Sequence, residues 1–240
     1  MRIYLNSVEA ITDIGRELKK CATEVHTQTY QNKDISHDPN FKTKEIQAFE
    51  FMVINMDDKD QMPNVTLEWA KAEFGERIST SVANPGKAWE LRKEVWEQFL
   101  VEQYYEDENN VQHSKKVFEY TYSERIASQI RPVISELRFR PQTRQAIISV
   151  YNSYIDLRSM GSRRVPCSMY YQFMIRDNKL DIIYVMRSSD FATHFQNDMW
   201  LADELRRYIA SMLGIESGKF IMMIDSLHIY QKDWEQLKRY

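Results

Sequence analysis

A chain of 240 residues fits one large domain or two small ones and is long enough to bury a sizeable core, and nothing in it forces a second domain. Lys+Arg 32 against Asp+Glu 35 leaves a net charge of -3, which excludes the broad basic field that nonspecific nucleic-acid binding relies on. Met1 to Asp13 lacks the apolar centre of a signal peptide, no run approaches the length that spans a bilayer, and Cys21 and Cys167 form at most one bridge. The expectation is a cytoplasmic protein with both thiols reduced.

Ser7, followed by Val8, Ile11, Ile14, Leu18 and Cys21 at helical spacing, predicts a capped amphipathic helix over residues 8–23 with Cys21 on its apolar stripe. Residues 26–44 are polar and read as a loop of the kind that holds phosphate in nucleotide enzymes. His26 and His37 lie eleven apart, which matches no metal-ligand spacing, so no metal is expected. Glu45 to Asn55 predicts a strand, and Asp57-Asp58-Lys59-Asp60 a solvated turn. Leu67, Trp69, Ala70 and Phe74 fit a short helix ending at Gly75. Trp89, Leu91, Val95, Trp96, Phe99 and Leu100 predict another helix over 87–105, and the polar stretch 106–116 a mobile loop.

Ile130, Val133, Ile134 and Leu137 share a helical face over 128–137, with Pro132 tolerable in a first turn. Arg138 to Arg144 reads as a basic turn leading into a strand, Ala146 to Tyr151. Met169 to Ile175 and Leu180 to Met186 read as a hairpin joined by Arg176-Asp177-Asn178-Lys179. Trp200 to Leu213 is a helix stopped by Gly214, and Lys219 to Ile224 a last strand.

One stretch carries chemistry. Arg163-Arg164-Val165-Pro166-Cys167-Ser168 places a thiol after a proline and two arginines, and the hairpin leads from it to Arg187-Ser188-Ser189-Asp190, then Phe195-Gln196-Asn197-Asp198, then His228-Ile229-Tyr230. A nucleophile with an anion site nearby is the direct reading. With the preceding Gln-Ile-x-x-Val-Ile-x-x-Leu helix and Arg144, this order of motifs resembles the thymidylate synthase family from about Ser123 to Tyr230, and weakly before it. Within the family it is most similar to the phage deoxycytidylate hydroxymethylases. The separating position is the eighth residue after the aspartate of Arg-Ser-x-Asp. Asparagine stands there in uridylate-using relatives and aspartate in the cytidylate-using branch; here it is Asp198.

The resemblance implies an α/β (α+β) fold, a single domain over residues 1–240 whose large mixed or antiparallel sheet is covered by helices and used as a homodimer interface. It implies that Cys167 adds to carbon 6 of the pyrimidine, so that carbon 5 attacks a one-carbon electrophile supplied by 5,10-methylenetetrahydrofolate. A thiol is mostly protonated at neutral pH, and a neighbouring cation such as Arg187 favours the thiolate. Arg187 and Ser188 are expected on the phosphate, with Arg144 supplied by a second subunit, since guanidinium forks suit a phosphate dianion. Ser189, Asp190 and Asn197 complete the nucleotide site by position in the motifs, His228 and Tyr230 resemble the pair that holds the sugar hydroxyl, Tyr122 the active-site tyrosine, and Trp89 the tryptophan beside the folate.

Asp198 has its own physical logic. An asparagine amide donates to a carbonyl and accepts from a ring N–H, which matches uracil. A carboxylate accepts from the exocyclic amine of cytosine, whose ring nitrogen needs a donor, so acid or base must hold a proton in the complex. A second reading is Asp198 as cap of a Met199 to Leu213 helix.

Three departures stand out. Arg144-Gln145 replaces two consecutive arginines, for which Arg163 and Arg164 are candidate compensators or simply a solvated basic turn. Thr66 stands three before Trp69, where the family's catalytic glutamate belongs, and Glu68 would face another side of that helix. The chain also stops ten residues after Tyr230, so a folate site is expected to be open, rebuilt by residues 106–116, or absent. The expected activity is conversion of dCMP to 5-hydroxymethyl-dCMP. Methylation, use of CMP, and nucleotide binding without catalysis are the rivals.

Overall fold

The computed structural model describes residues 1–30, 33–38, 41–157 and 164–240. The strands are β1 (Arg2–Asn6), β2 (Thr23–His26), β3 (Thr29–Tyr30), β4 (Lys33–Asp34), β5 (Lys42–Asn55), β6 (Leu100–Glu106), β7 (Gln112–Phe118), β8 (Ile147–Ser149), β9 (Ser168–Arg176), β10 (Lys179–Met186), β11 (Ser189–Asp190) and β12 (Glu216–Tyr230). The helices are α1 (Ser7–Cys21), α2 (Leu67–Arg77), α3 (Lys93–Trp96), α4 (Tyr122–Phe139), α5 (Ser153–Asp156) and α6 (Phe195–Leu213). A mixed sheet in the order β1-β5-β12-β10-β9-β8, with β2 on β5 and β11 on β12, forms the frame.

Alternation along the strands gives the sheet two different faces. The transverse row Phe51, Met222, Tyr184, Tyr171, Ile148 is fully buried and packs in one core with Ile14 of α1, Ile130 of α4 and Leu205 of α6. One residue along, the row Ile3, Met52, Ile221, Ile183, Gln172, Ile147 runs in register on the opposite face, and Ile3 and Ile147 are 58% and 42% exposed. Helices therefore cover one face and leave an apolar one open.

Several elements depart from the sequence expectations. Asn6, not Ser7, caps α1, accepting from the Glu9 amide at 2.9 Å. Ser7 is buried and donates its hydroxyl to Asp58, whose carboxylate also takes the Ser7 and Val8 amides. The acidic turn is thus bound rather than solvated: Asp60 accepts from the Trp200 indole at 2.6 Å, Lys59 pairs with buried Asp203 at 2.8 Å, and Asp57 pairs with Arg207 at 2.8 Å. Carboxylates so placed satisfy helix amides and buried cations that would otherwise be left unpaired. Cys21 is exposed at the last residue of α1 instead of lying on its buried stripe.

The helix expected over 87–105 is broken. A 3-10 turn, Ala88–Arg92, leads through α3 and a second 3-10 turn, Glu97–Phe99, into β6. The Val101–Tyr105 run prefers extended pairing, and β6 pairs along its whole length with β7. The polar stretch 106–116 forms the end of β6, the hairpin tip at 107–111 and the start of β7, and at the tip Asp107 accepts the Asn109 and Val111 amides, both at 2.9 Å. Pro132 lies deep inside α4, not in a first turn; α4 begins earlier, at a capping box between Thr121 and Glu124. The proline is on the exposed side, where water can satisfy the carbonyl that lost its partner.

The β9–β10 hairpin turns on Asp177 and Asn178 alone, both at positive φ, a conformation these short polar side chains tolerate. Gly214, at φ 72, ends α6 as expected. β12 starts earlier and runs on to Tyr230, which carries His228 and Tyr230 to the same end of the sheet as Arg187 and Cys167. Among the described residues no helix is long and apolar enough to cross a membrane, and no cluster of His, Cys, Asp and Glu could hold a metal ion.

Candidate functional site

The ends of β10 and β12, the start of β9 and the first turn of α6 surround a cavity of about 250 Å³. Cys167, Arg187, Ser188, Ser189, Asp190, Asp198, His228, Tyr230 and Tyr122 all line it, so motifs spread over more than a hundred residues of sequence converge on one space. The convergence follows from pairing. The Arg187 amide donates to the Cys167 carbonyl at 2.9 Å, and β11 lies beside β12 with Asp190 opposite His228.

Cys167 is half-buried with its sulfur toward the cavity, 3.6 Å from the Ser188 hydroxyl and 3.9 Å from Arg187 Nη2. Arg187 donates Nε to the Pro166 carbonyl and Nη2 to the Val165 carbonyl, both at 2.9 Å, and Nη1 to Ser188 at 3.2 Å. The guanidinium thereby staples the segment bearing the thiol while presenting a positive charge beside it. Ser168, buried below, links the Tyr122 and Tyr184 hydroxyls. Burial, then the neighbouring Tyr120 and Cys167, push the Tyr122 phenol well above its ordinary value, so it stays a neutral hydrogen-bonding group.

Asp198 faces the cavity from the first turn of α6. Burial raises its carboxyl to about 7, with Arg77, Arg92 and Ser189 pulling it down and Asp190 pushing it up. It lies inside the helix, which His194 precedes as cap residue, so the capping reading does not hold. Asp190 is also raised, by burial first, against the lowering effect of His228. His228 Nδ1 sits 3.2 Å from the Ser226 carbonyl, and its ring meets Tyr230 edge-on at 5.0 Å.

Other expected residues sit elsewhere. Asn197 does not line the cavity: its side chain is 1% exposed and committed to the Thr66 amide at 2.9 Å and the Asn64 carbonyl at 3.4 Å. It shapes the neighbouring segment, one position before Asp198 on α6. Trp89 lines a narrower cleft adjoining the cavity, with Trp69, Trp96 and Phe118. Arg144 is exposed near β8, away from this chain's own cavity, and its carbonyl accepts from Gln172 at 2.8 Å. Arg163 lies outside the described residues.

Arg164 is not solvated as a basic turn would be. Its guanidinium rests over the rings of Trp96, Phe99 and Tyr120 at 4.7, 4.8 and 5.1 Å. Thr66 precedes α2, Glu68 is exposed, and among the described residues no glutamate lines the cavity itself, while Glu73 and Glu76 line the adjoining cleft. Instead α2 contributes Trp69 and Arg77; the latter is 6% exposed, paired with Glu73 at 2.8 Å and packed 4.2 Å from the Tyr122 ring centre. His194 and Trp96 complete the wall. No local pattern marks these residues as a set, because their elements meet only in three dimensions.

The cleft tests whether a flat heteroaromatic co-substrate could fit. Its walls combine aromatic rings with Glu73, Glu76, Arg77 and Arg164, and among the described residues the buried indole N–H groups of Trp69, Trp89 and Trp96 have no hydrogen-bond partner. Stacking surfaces with unspent donors have the chemistry that a pterin-like ring uses, while the cleft itself encloses only about 40 Å³, so such a ring would stack along its rim.

Comparison with known proteins agrees with the motif order. The family described as "Thymidylate synthase" matches residues 77–240, well over half the chain. A "Putative thymidylate synthase" of Methanosarcina barkeri is 32% identical over 127 residues, covering 50% of this chain and 57% of that protein. A "Deoxyuridylate hydroxymethyltransferase" of Bacillus phage SP01 is 31% identical over 107 residues, 44% of this chain and 28% of that protein. The chain thus spans little more than half the length of the first of these relatives. The solved structure of thermostable thymidylate synthase A from Bacillus subtilis superposes with a TM-score of 0.68 over 97% of this chain and 82% of that one, at 18% identity, a likeness of fold. The chain belongs to the thymidylate synthase family.

Proposed function

We propose that this protein binds a pyrimidine nucleoside monophosphate, dCMP, and transfers a one-carbon unit to its carbon 5 to give 5-hydroxymethyl-dCMP. The observation that carries the reading is the sharing of one cavity by Cys167 and Asp198, with Arg187 and Ser188 at the thiol. Arg187 and Ser188 hold the phosphate, His228 and Tyr230 the sugar, and Asp198 the cytosine edge, which leaves carbon 6 within reach of the sulfur. An acid titrating near neutrality supplies the proton that cytosine recognition needs. Methylenetetrahydrofolate, stacked along the rim of the tryptophan cleft, would supply the carbon unit. The phage relative, by its name, supports a hydroxymethyl product.

Incubation with methylenetetrahydrofolate and either dCMP or dUMP, followed by mass analysis, tests this. A gain of one hydroxymethyl group on dCMP is expected, and product from dUMP alone would sink the cytosine assignment. The place of Thr66, three before Trp69, favours the second reading, a nucleotide-binding protein without catalysis; tight dCMP binding with no product would support it.

We further infer a homodimer through the open sheet face. The row through Met52, Ile221 and Ile183 is an apolar strip without a cover, and Arg144 stands at its β8 end, tied by Gln172 of the same row. From there it is suited to complete a partner's phosphate site. Ile221→Asp, at the middle of the strip, is expected to give a species of half the mass by light scattering; a wild type that is already monomeric would refute the dimer.

A further inference from the structure

Arg92 is a buried charge that the fold alone does not explain. It ends the 3-10 turn Ala88–Arg92 and is only 6% exposed, yet among the described residues no carboxylate forms an ion pair with it. A guanidinium so placed carries a desolvation penalty that no group in direct contact offsets with an opposite charge. Its contacts lead to the wall of the nucleotide cavity. The guanidinium lies over the Trp69 ring at 4.9 Å, Nη2 donates to the Thr193 carbonyl at 3.1 Å, and Nη1 is buried without a partner. Trp69 lines the cavity and Arg92 does not, so Arg92 stands one layer back. Thr193 lies in the turn that leads into α6. Its carbonyl also accepts from the Asn197 amide at 3.4 Å, and the neighbouring His194 carbonyl accepts from the Asp198 amide at 2.9 Å. Arg92 is thereby tied to the first turn of α6, the turn that carries Asp198.

Three carboxyls feel the Arg92 charge: Glu94, Asp198 and Asp190. Glu94 is exposed and screened by water, whereas Asp198 and Asp190 line the cavity, where screening is weaker. Arg77 approaches Asp198 from α2, but it brings its own counter-ion, Glu73 at 2.8 Å. Arg92 brings none, which leaves its positive charge to the acids of the cavity. Asp190 faces Asp198 from β11, and the phenols of Tyr122, Tyr171 and Tyr184 face it from α4, β9 and β10. Burial keeps those phenols and the His194 imidazole neutral. Arg164, Arg187 and His228 share the cavity.

We propose that Arg92 is a positioning residue for Asp198: it anchors the turn that carries this carboxyl and supplies the fixed positive charge against which the carboxylate forms, a role that rests on the reading of Asp198 as the cytosine-binding group. Burial raises the Asp198 carboxyl to about 7, opposed by Arg77 and then Arg92. Without the Arg92 charge the neutral acid gains over the carboxylate, so the proton leaves at a higher pH. Cytosine recognition needs that proton, so dCMP affinity then persists to higher pH as well.

Two readouts on the full chain test this. The carboxyl-carbon NMR signal of Asp198 in 13C-aspartate-labelled protein, assigned by its loss in Asp198→Asn, follows the acid without any nucleotide. Calorimetry over the same pH range follows dCMP affinity. Arg92→Met keeps the apolar stem and Arg92→Gln keeps a polar donor near Thr193, so a fold sensitive to one change can still be read in the other. Both are expected to move the midpoints of the two curves up by about one pH unit, while Arg92→Lys stays within about 0.3 of wild type.

Midpoints that stay at the wild-type value in the neutral variants, even with affinity lowered equally at every pH, would make Arg92 a structural staple; the proposal falls and the cytosine reading stands. Arg92→Lys moving as far as Arg92→Met overturns it too, because charge would not be what acts. So does an affinity midpoint that Arg92→Met still moves in the Asp198→Asn background, since the titrating group would then be another acid such as Asp190. An Asp198 signal that moves with Arg92, beside a wild-type dCMP affinity indifferent to pH, sinks the cytosine reading and leaves Arg92 in its role toward the acid.

Discussion

Cys167→Ala is expected to abolish product formation, a loss on the order of 10^4-fold, with dCMP affinity nearly unchanged. The sulfur makes no packing contribution that alanine would forfeit at great cost, because it is half-exposed to the cavity. What it supplies is a nucleophile aimed by its surroundings. Arg187 ties down the carbonyls on either side of the Val165-Pro166 bond and stands 3.9 Å from the sulfur, and Ser188 donates toward it. A covalent protein adduct with 5-fluoro-dCMP, whose carbon 5 has no proton to give up, is expected by mass spectrometry for the wild type and not for the variant. Cys21→Ala, at the exposed end of α1, is expected to behave as wild type. If it is Cys21→Ala that loses the adduct, the nucleophile has been misassigned.

Asp198→Asn is expected to change the ratio of kcat/KM for dCMP to that for dUMP by roughly 100-fold in favour of dUMP, since two reversed hydrogen-bonding groups at about 1–3 kcal/mol each are at stake. An unchanged ratio would mean that the base is read elsewhere. The same variant separates recognition from stability. Burial lifts the Asp198 carboxyl from 3.8 to about 7, so the folded protein binds a proton that the unfolded chain has already released. The stability tied to that proton is fully present below about pH 4 and is lost as pH rises through about 7. Asparagine carries no such dependence. Denaturant unfolding should therefore show the variant gaining on the wild type between about pH 4 and 7 and holding that gain above, on the order of 2–4 kcal/mol at about 1.4 kcal/mol per pH unit. Wild-type affinity for dCMP is expected to fall above about pH 7, where the free protein has lost the proton that the complex needs, while the variant stays flat there.

Much of the sheet was legible along the chain, because strands with one buried face alternate and turns have their own chemistry. The β9–β10 hairpin and the end of α6 at Gly214 are local events, decided by Asp177-Asn178 and by a glycine able to adopt positive φ. Helical spacing failed at residues 87–105, where the aromatics are spaced to meet partners in other elements. Trp96 stacks on Trp69 at 5.8 Å and meets Phe118 edge-on at 6.4 Å, contacts that a period count cannot distinguish from the stripe of a helix. Asn197 lies off the cavity for another reason: it sits in a motif beside Asp198, but one step along a helix turns its amide toward Asn64 and Thr66.

By itself the sequence determined the family and the residue types of the pocket, because Pro-Cys, Arg-Ser-x-Asp and His-Ile-Tyr are short runs whose order survives in one dimension. Only the tertiary structure decided which neighbours tune them. Arg77 and Arg92 reach Asp198 from α2 and from the turn before α3, burial sets its proton affinity, and Trp96 carries Arg164 on one side and His194 on the other at the cavity wall. Desolvation and charge proximity are properties of the folded space around a group, and residues more than a hundred positions apart acquire them only when the chain closes.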